Sequence, residues 1–258
     1  MILDNIVLLV TGCIAPADDQ KLYLNNVNIR LNQYIDSILY YIEQSRFKKI
    51  VFCENSNYTL DTSIIDEASV KSGKKFEYIT FLGNRDLITR YKNKGCGEDE
   101  ITTYAVNNSL LLRDNDYFFK ITGRLKILNI NQILEGLDLD GSYFNRNIYG
   151  VYKSLDTRFY LINKKKYLNE ISGCYERCGD YSIDYEKAFY QLVRNYHCFR
   201  NYPLVNGVSG GSGRNYSLNN GYQFRIFDTF CQLRIFNTLY FFLHIYIKVF
   251  RRLKLFRE

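Results

Sequence analysis

Four short stretches carry residue types able to do chemistry. Thr122, Gly123 and Arg124 close the apolar run YFFKI, with Lys120 just before them and Lys126 just after. A guanidinium is planar, permanently charged and able to donate two parallel hydrogen bonds, so Arg124 suits phosphate oxygens. In SLDTRFY, Asp156 and Arg158 are two positions apart, which places them on one face of an extended strand. Glu186 opens the amphipathic segment YEKAFYQLV, where a carboxylate is either a proton acceptor or an acid favoured by the helix dipole. Lys94, Gly95 and Gly97 in KGCGE precede a helical pattern. Glycine there either lets the backbone approach an anion at the helix start or forms an ordinary loop.

Other constellations carry less. Ser209 in GVSGG satisfies Gly-x-Ser-x-Gly, but a nucleophile elbow needs a strand before it and a helix after it. After Ser209 the chain continues with more glycine, serine and asparagine. Cys174, Cys178, His197 and Cys198 match no common zinc spacing and read as ordinary side chains. His197 has no Ser, Cys or Asp partner at motif spacing and reads as structural.

The elements that must position these groups alternate along the first half. Ile6–Val10 is a β-rich apolar run ending in Thr11 and Gly12, and Ile50–Cys53 is a second, closed by Glu54, Asn55, Ser56 and Asn57. Between them Ile29, Leu31, Tyr34, Ile35, Ile38, Leu39 and Ile42 recur at helical spacing. Next come helix-like Ile64–Ser72, a third strand in Phe76–Asn84, a glycine-marked loop leading into a helix, and the strand DYFFKI. This order implies an α/β fold: a mostly parallel sheet, Rossmann-like, flanked by helices. Ligands of such sheets gather at the carboxyl ends of the strands, where Thr11, Gly12 and Thr122 would lie. After Arg124 the pattern loosens into a short strand and helix, two antiparallel-looking strands over RNIYGVYKSLDTRFYLI, and a helix over YSIDYEKAFYQLVRNY.

At 258 residues, 47% hydrophobic and 24% charged, the chain is a globular protein rather than a disordered one. Seven scattered cysteines favour reduced thiols in a cytoplasmic compartment. MILDNIVLLVTG has no cationic leader or cleavage site and reads as a first strand. Segment 203–223 is glycine and serine rich, either a mobile loop or a linker. Segment 224–258 is very apolar and carries Lys248, Arg251, Arg252, Lys254 and Arg257. Its apolar core falls short of the about 20 residues that a spanning helix needs, so the expectation is a basic amphipathic helix on an anionic membrane surface. The net charge of +7 suits such a surface or a phosphorylated ligand. Nucleic acid is not expected, because the cations concentrate in an apolar tail.

Read together, YIDSILYYIEQ, IVFCENSN, YKNKGCGEDEITTYAV and DYFFKITGR resemble, in order and spacing, the nucleotide-sugar-binding half of GT-A glycosyltransferases over about Ile6–Ile127. The combination KGxGE, KITGR and DTRFY is similar to glycosyltransferase-like proteins of bacterial capsule and lipopolysaccharide clusters. The resemblance implies a glycosyltransferase domain over 1–202, with a nucleotide half to about 128 and an acceptor half over 129–202. It implies a nucleotide-sugar donor and a lipid-linked or growing glycan as acceptor, at the inner face of a bacterial cell membrane. Glu54, Asn55 and Ser56 fall at the base and ribose, and Lys94, Gly95 and Gly97 in the loop over the donor. Thr122, Gly123 and Arg124 replace the usual Asp-x-Asp, whose aspartates hold a divalent metal. Threonine and arginine do not hold one in that way, so no cofactor is expected, manganese and magnesium included. Arg124, with Lys120 or Lys126, would instead stabilise leaving-group charge. Asp114 and Asp116 precede the strand and read as a turn at the opposite sheet edge. Glu186 falls at the family's base, with Asp156 and Arg158 positioning donor or acceptor. The alternative is a non-catalytic membrane-associated binding protein whose domain has lost its metal site.

Overall fold

The computed structural model describes residues 2–17, 22–84, 86, 95–145, 154–201, 203–209, 213, 215 and 216. The chain divides into units 1–217 and 218–258, and the second lies outside the described residues, as does the expected basic helix over 224–258. Among the described residues, no helix is long and apolar enough to cross a membrane.

The core strand is β1 (Ile6–Gly12), flanked by parallel partners β2 (Lys49–Glu54) and β4 (Tyr117–Thr122), with β3 (Lys75–Thr80) outside β2. Beyond β4 the sheet continues with β7 (Asp156–Asn163), β6 (Ser142–Asn145) and β8 (Tyr196–Cys198), completing the order β3-β2-β1-β4-β7-β6-β8. Only β7 runs against the rest. The sheet is therefore mostly parallel, as expected. A separate antiparallel pair joins β5 (Leu125–Ile127) to β9 (Val205–Gly207). Strand β9 thus lies inside segment 203–223, which its glycine and serine content marks as a loop or linker, and forms because β5 supplies its partner.

Both faces of the sheet are covered, which is why β1 is a continuous apolar run with its whole length buried. Ile6, Leu8 and Val10 pack on one side with helix α1 (Val27–Gln44), while Val7 and Leu9 pack on the other with helix α3 (Gly95–Asn108). Asn26 caps α1, its side chain accepting from the Ile29 amide at 3.0 Å. The apolar stripe of α1 is rotated from its expected position: Ile29 is exposed and Tyr41 is fully buried. The Tyr41 hydroxyl explains this, accepting from the Ile127 amide at 2.8 Å and donating to the Leu125 carbonyl at 3.0 Å. It saturates β5 on the side that β9 leaves open.

Helix α2 (Ser63–Lys71) matches its expected span, and the third strand stops earlier than expected, at Thr80. The helix opened by Glu186 is α5 (Tyr185–Leu192), shorter than its apolar pattern, preceded by the five-residue α4 (Cys174–Cys178). Beyond its end Asn195 takes a positive φ of 56°. The expected partner of β7 within RNIYGVYK lies at 146–153, outside the described residues, and the strands observed beside β7 are β4 and β6.

Candidate active site

Register places Gly12, Glu54 and Thr122 at one edge of the sheet, the carboxyl ends of β1, β2 and β4. Because β7 is antiparallel, its amino-terminal residues Asp156 and Arg158 arrive at that same edge, beside Asn145 at the end of β6. Asp114 and Asp116 lie at the opposite edge, where the Asp116 carbonyl accepts from the Lys164 amide just past the end of β7.

Tyr34 of α1 organises the first part of the site. A Cβ on Gly12 would come within 2.6 Å of its ring, and one on Gly123 within 2.9 Å of the ring and 2.7 Å of the Thr11 carbonyl oxygen. Only glycine fits at either position. The Tyr34 hydroxyl accepts from the Cys13 amide at 2.9 Å, which fixes the loop leaving β1. Two cations share the ring: the guanidinium carbons of Arg124 and Arg30 lie 5.7 and 6.0 Å from its centroid. Arg30 is spent on structure, its Nε donating to the Cys13 carbonyl at 2.8 Å and its Nη1 to the Leu24 carbonyl at 2.9 Å. Arg124 is different. It is 9% exposed, donates from Nη1 to Gln33 Oε1 at 3.4 Å, and among the described residues its buried Nε has no partner. Among the described residues no carboxylate pairs with it. Burial pulls its guanidinium below the ordinary value, Tyr34 opposes that and Arg30 adds to it, yet an arginine stays charged at neutral pH.

Lys120 faces inward. It is fully buried, forms an ion pair with Glu98 at the start of α3, and donates to the Thr157 carbonyl at 2.8 Å and to Thr122 Oγ1 at 3.3 Å. Thr11 donates to the same Glu98 carboxylate at 3.2 Å. Lys120 and Thr11 therefore hold α3 against β1, β4 and β7 rather than presenting polar atoms to the edge.

Glu54 is likewise enclosed. Its two carboxylate oxygens take donors from the amides of Ile14 (2.8 Å), Ser56 (2.9 Å) and Tyr58 (3.1 Å) and from Thr80 Oγ1 (2.9 Å), and the Ser56 hydroxyl also bonds Oε1. A fully buried carboxylate with five donors fixes the loops after β1 and β2. Ser56 Oγ accepts from the Ala15 amide at 3.0 Å, and Asn55 Oδ1 is buried without a partner. Gly95 and Gly97 belong to the first turn of α3 rather than to a loop, and Lys94 lies outside the described residues.

Asp156 and Arg158 form a bidentate pair, Nε to Oδ1 at 2.8 Å and Nη2 to Oδ2 at 2.5 Å, with Asn145 Nδ2 donating to Oδ2 at 3.1 Å. Burial favours the neutral acid, but Arg158 and these hydrogen bonds outweigh it and hold Asp156 below the usual carboxylate range. The Arg158 guanidinium carbon lies 4.8 Å from the centroid of the Tyr216 ring. Glu186 sits beside this pair, its backbone carbonyl accepting from the Leu155 amide at 2.9 Å. Burial raises its carboxyl pKa, its own amide opposes the rise, and the charges of Asp156, Asp184 and Glu98 add to it.

The structure thus brings Thr11, Gly12, Glu54, Thr122, Gly123, Arg124, Asp156, Arg158 and Glu186 to one edge. Sequence reasoning missed Tyr34, Arg30, Asn145 and Glu98, although Glu98 is the last residue of KGCGE. The Ser209 carbonyl accepts from the Gly213 amide at 2.9 Å, and residues 210–212 between them lie outside the described residues. His197 is exposed on β8 with its ring 5.3 Å from that of Tyr143. The six described cysteines are free. No group of three or more His, Cys, Asp or Glu among the described residues could hold a metal ion. The donor set of Thr122, Gly123 and Arg124, a hydroxyl, a glycine and a buried guanidinium, does not fit a divalent cation.

No protein-family model matches the sequence, and no curated protein is similar to it. Solved structures with distantly similar architecture include the glycosyltransferase GlyE of Streptococcus pneumoniae, at 14% identity and TM-score 0.48, covering 76% of this chain and 44% of that one. An active-site variant of LgtC is 12% identical with TM-score 0.45, covering 75% of this chain and 71% of that one. A nucleoside-diphosphate-sugar pyrophosphorylase of Vibrio cholerae is 12% identical with TM-score 0.38, covering 84% and 98%. This chain therefore spans less than half the length of the first of these.

Proposed function

We propose that this chain is a glycosyltransferase that takes a sugar from a nucleotide-sugar donor and passes it to a lipid-linked or growing surface glycan, such as capsule or lipopolysaccharide O-antigen. The observation that carries this reading is Arg124: a buried guanidinium at the carboxyl edge of parallel strands, stacked on Tyr34, with Nε unpartnered and no carboxylate beside it among the described residues. Such a cation is built to receive an anion from outside the protein. In the proposed reaction the acceptor hydroxyl gives its proton to Glu186 and its oxygen bonds the anomeric carbon of the sugar. The bond from that carbon to the diphosphate breaks, and Arg124 takes up the charge on the departing diphosphate. Arg30 contributes field but few free donors. Glu186, whose pKa is raised, is a better proton acceptor than an ordinary carboxylate. Asp156 orients Arg158, and that pair positions donor or acceptor.

The transferase is proposed to be metal-independent, because its own arginine stands where metal-binding aspartates would be expected. The basic segment 224–258 is proposed to hold it on an anionic membrane surface, inside the cell. Deleting that segment should abolish co-sedimentation with anionic vesicles, and unchanged sedimentation would remove the anchor from the scheme.

A second reading, a non-catalytic binding protein with a degenerate domain, is favoured by one observation: Glu54 and Lys120 are both consumed by internal partners. Single-turnover release of nucleoside diphosphate from a panel of nucleotide sugars, measured in EDTA, separates the two. Turnover lost in Glu186→Gln supports the transferase, whereas binding without turnover across the panel supports the second reading.

A further inference from the structure

Helix α3 has a second polar face that the site above does not use. Cys96, Asp99, Glu100, Thr103, Tyr104 and Asn107 stand at i, i+3, i+4, i+7, i+8 and i+11, one stripe along the helix. Across from it runs the segment 172–181, and between them lies a cleft of about 520 Å³. That volume falls within the usual range of small-ligand sites.

The lining has a definite chemistry. Among the described residues it contains no lysine, arginine or histidine, so none of them compensates the charge of a phosphate or sulfate. Glu176 supplies an acceptor, Glu100 supplies the lone pairs left by a carboxylate that already takes the Asn84 amide at 2.9 and 3.1 Å, and Asn107 supplies both an acceptor and donors. Aromatic rings supply the apolar part. Tyr104 is stacked on Phe81 with centroids 3.9 Å apart, and Tyr175 and Tyr181 are nearly parallel at 5.7 Å. Stacked rings are held rigidly, and they offer edges and faces that exclude water from the C–H surface of a flat ring. Asp99 at the base is already committed: it accepts from the Cys174 amide at 2.9 Å and from the Tyr167 hydroxyl at 3.4 Å, which fixes the far wall.

We propose that this cleft is a binding site for a neutral saccharide, with pyranose rings lying against the tyrosines and hydroxyls donating to Glu100 and Glu176. The inference does not depend on the nucleotide reading, and its test is read without nucleotide present.

The full chain is applied to an array of neutral oligosaccharides, and the best binder is then titrated calorimetrically against wild type, Tyr104→Ala and Asn107→Arg. Position 107 is exposed, so Asn107→Arg leaves the fold intact while setting a long cation at the cleft mouth. The expected result is binding that is at least about tenfold weaker in both variants, roughly 1.4 kcal/mol. Failure of every neutral glycan to bind overturns the proposal. So does unchanged affinity in Asn107→Arg, whatever Tyr104→Ala does, and so does a preference for sulfated or phosphorylated glycans.

Discussion

The Arg124 guanidinium carbon lies 5.7 Å from the centroid of the Tyr34 ring, the same ring against which Gly12 and Gly123 pack. The position of the cation is thus set jointly by β1, α1 and the turn after β4. An aromatic face attracts the guanidinium without neutralising it, and the two glycines let the backbone come close enough for this to happen.

Gly123→Ala should be costly for that reason. Its Cβ would lie 2.7 Å from a backbone carbonyl oxygen, which is not the end of a flexible side chain. Overpacking of this kind costs about 1–3 kcal/mol. A urea titration should show a lower midpoint with an unchanged slope, and the variant should bind nucleotide more weakly than its residual folded fraction explains.

Lys120→Met should destabilise the protein by about 3 kcal/mol, because it leaves Glu98 beside a buried apolar group with its cation gone. Adding Glu98→Gln should recover part of that loss, so the two changes should be strongly non-additive in a double-mutant cycle. Additive losses would mean the pair is not coupled.

Much of the scaffold was legible in the sequence, and the reasons are local. Strands β1, β2 and β4 are short apolar runs bounded by polar or glycine residues, and α1 carries a periodic stripe. The edge position of Thr122, Gly123 and Arg124 results from parallel pairing alone. The hidden part depends on partners distant in the chain. Lys120 reads as an available cation until Glu98 and Thr157 close around it, and Glu54 reads as a ligand group until donors arrive from Ile14 and Thr80. Tyr34 looked like one more core residue of an amphipathic helix. Its role is set by two glycines, 12 and 123, that nothing in its own neighbourhood announces.

Asp99 makes the fold sensitive to pH. Burial raises its pKa from the usual 3.8 to about 6, against the lowering effect of the Cys174 amide. The folded state then holds a proton that the unfolded chain releases, so stability is full below about pH 4 and declines as pH rises towards 6, by at most about 1.4 kcal/mol per pH unit. Asp99→Asn keeps an acceptor for the Cys174 amide and should flatten this part of the stability profile. An unchanged slope in denaturation measured at pH 4, 5 and 6 would assign the dependence to other groups.

Glu186 should leave its mark on the pH–rate profile. A base works only when deprotonated, and burial keeps this carboxyl protonated to higher pH than an ordinary glutamate. Transfer should fall on the acid side with a midpoint above the ordinary value of about 4.3. In Glu186→Gln the rate should drop by about 10²–10⁴, and the remaining activity should lose that acid limb. Retention of the limb would place the base elsewhere.

The central claim is that Arg124 supplies the charge that a metal would otherwise bring to a diphosphate. Calorimetric titration with a panel of nucleoside diphosphates, in EDTA and again with manganese, addresses it directly. At least one should bind in EDTA, with little gain from manganese, and Arg124→Ala should weaken that binding by about 1.5–3 kcal/mol while circular dichroism shows the fold retained. Absence of binding by every nucleotide, a strict need for manganese, or equal affinity in Arg124→Ala would contradict it.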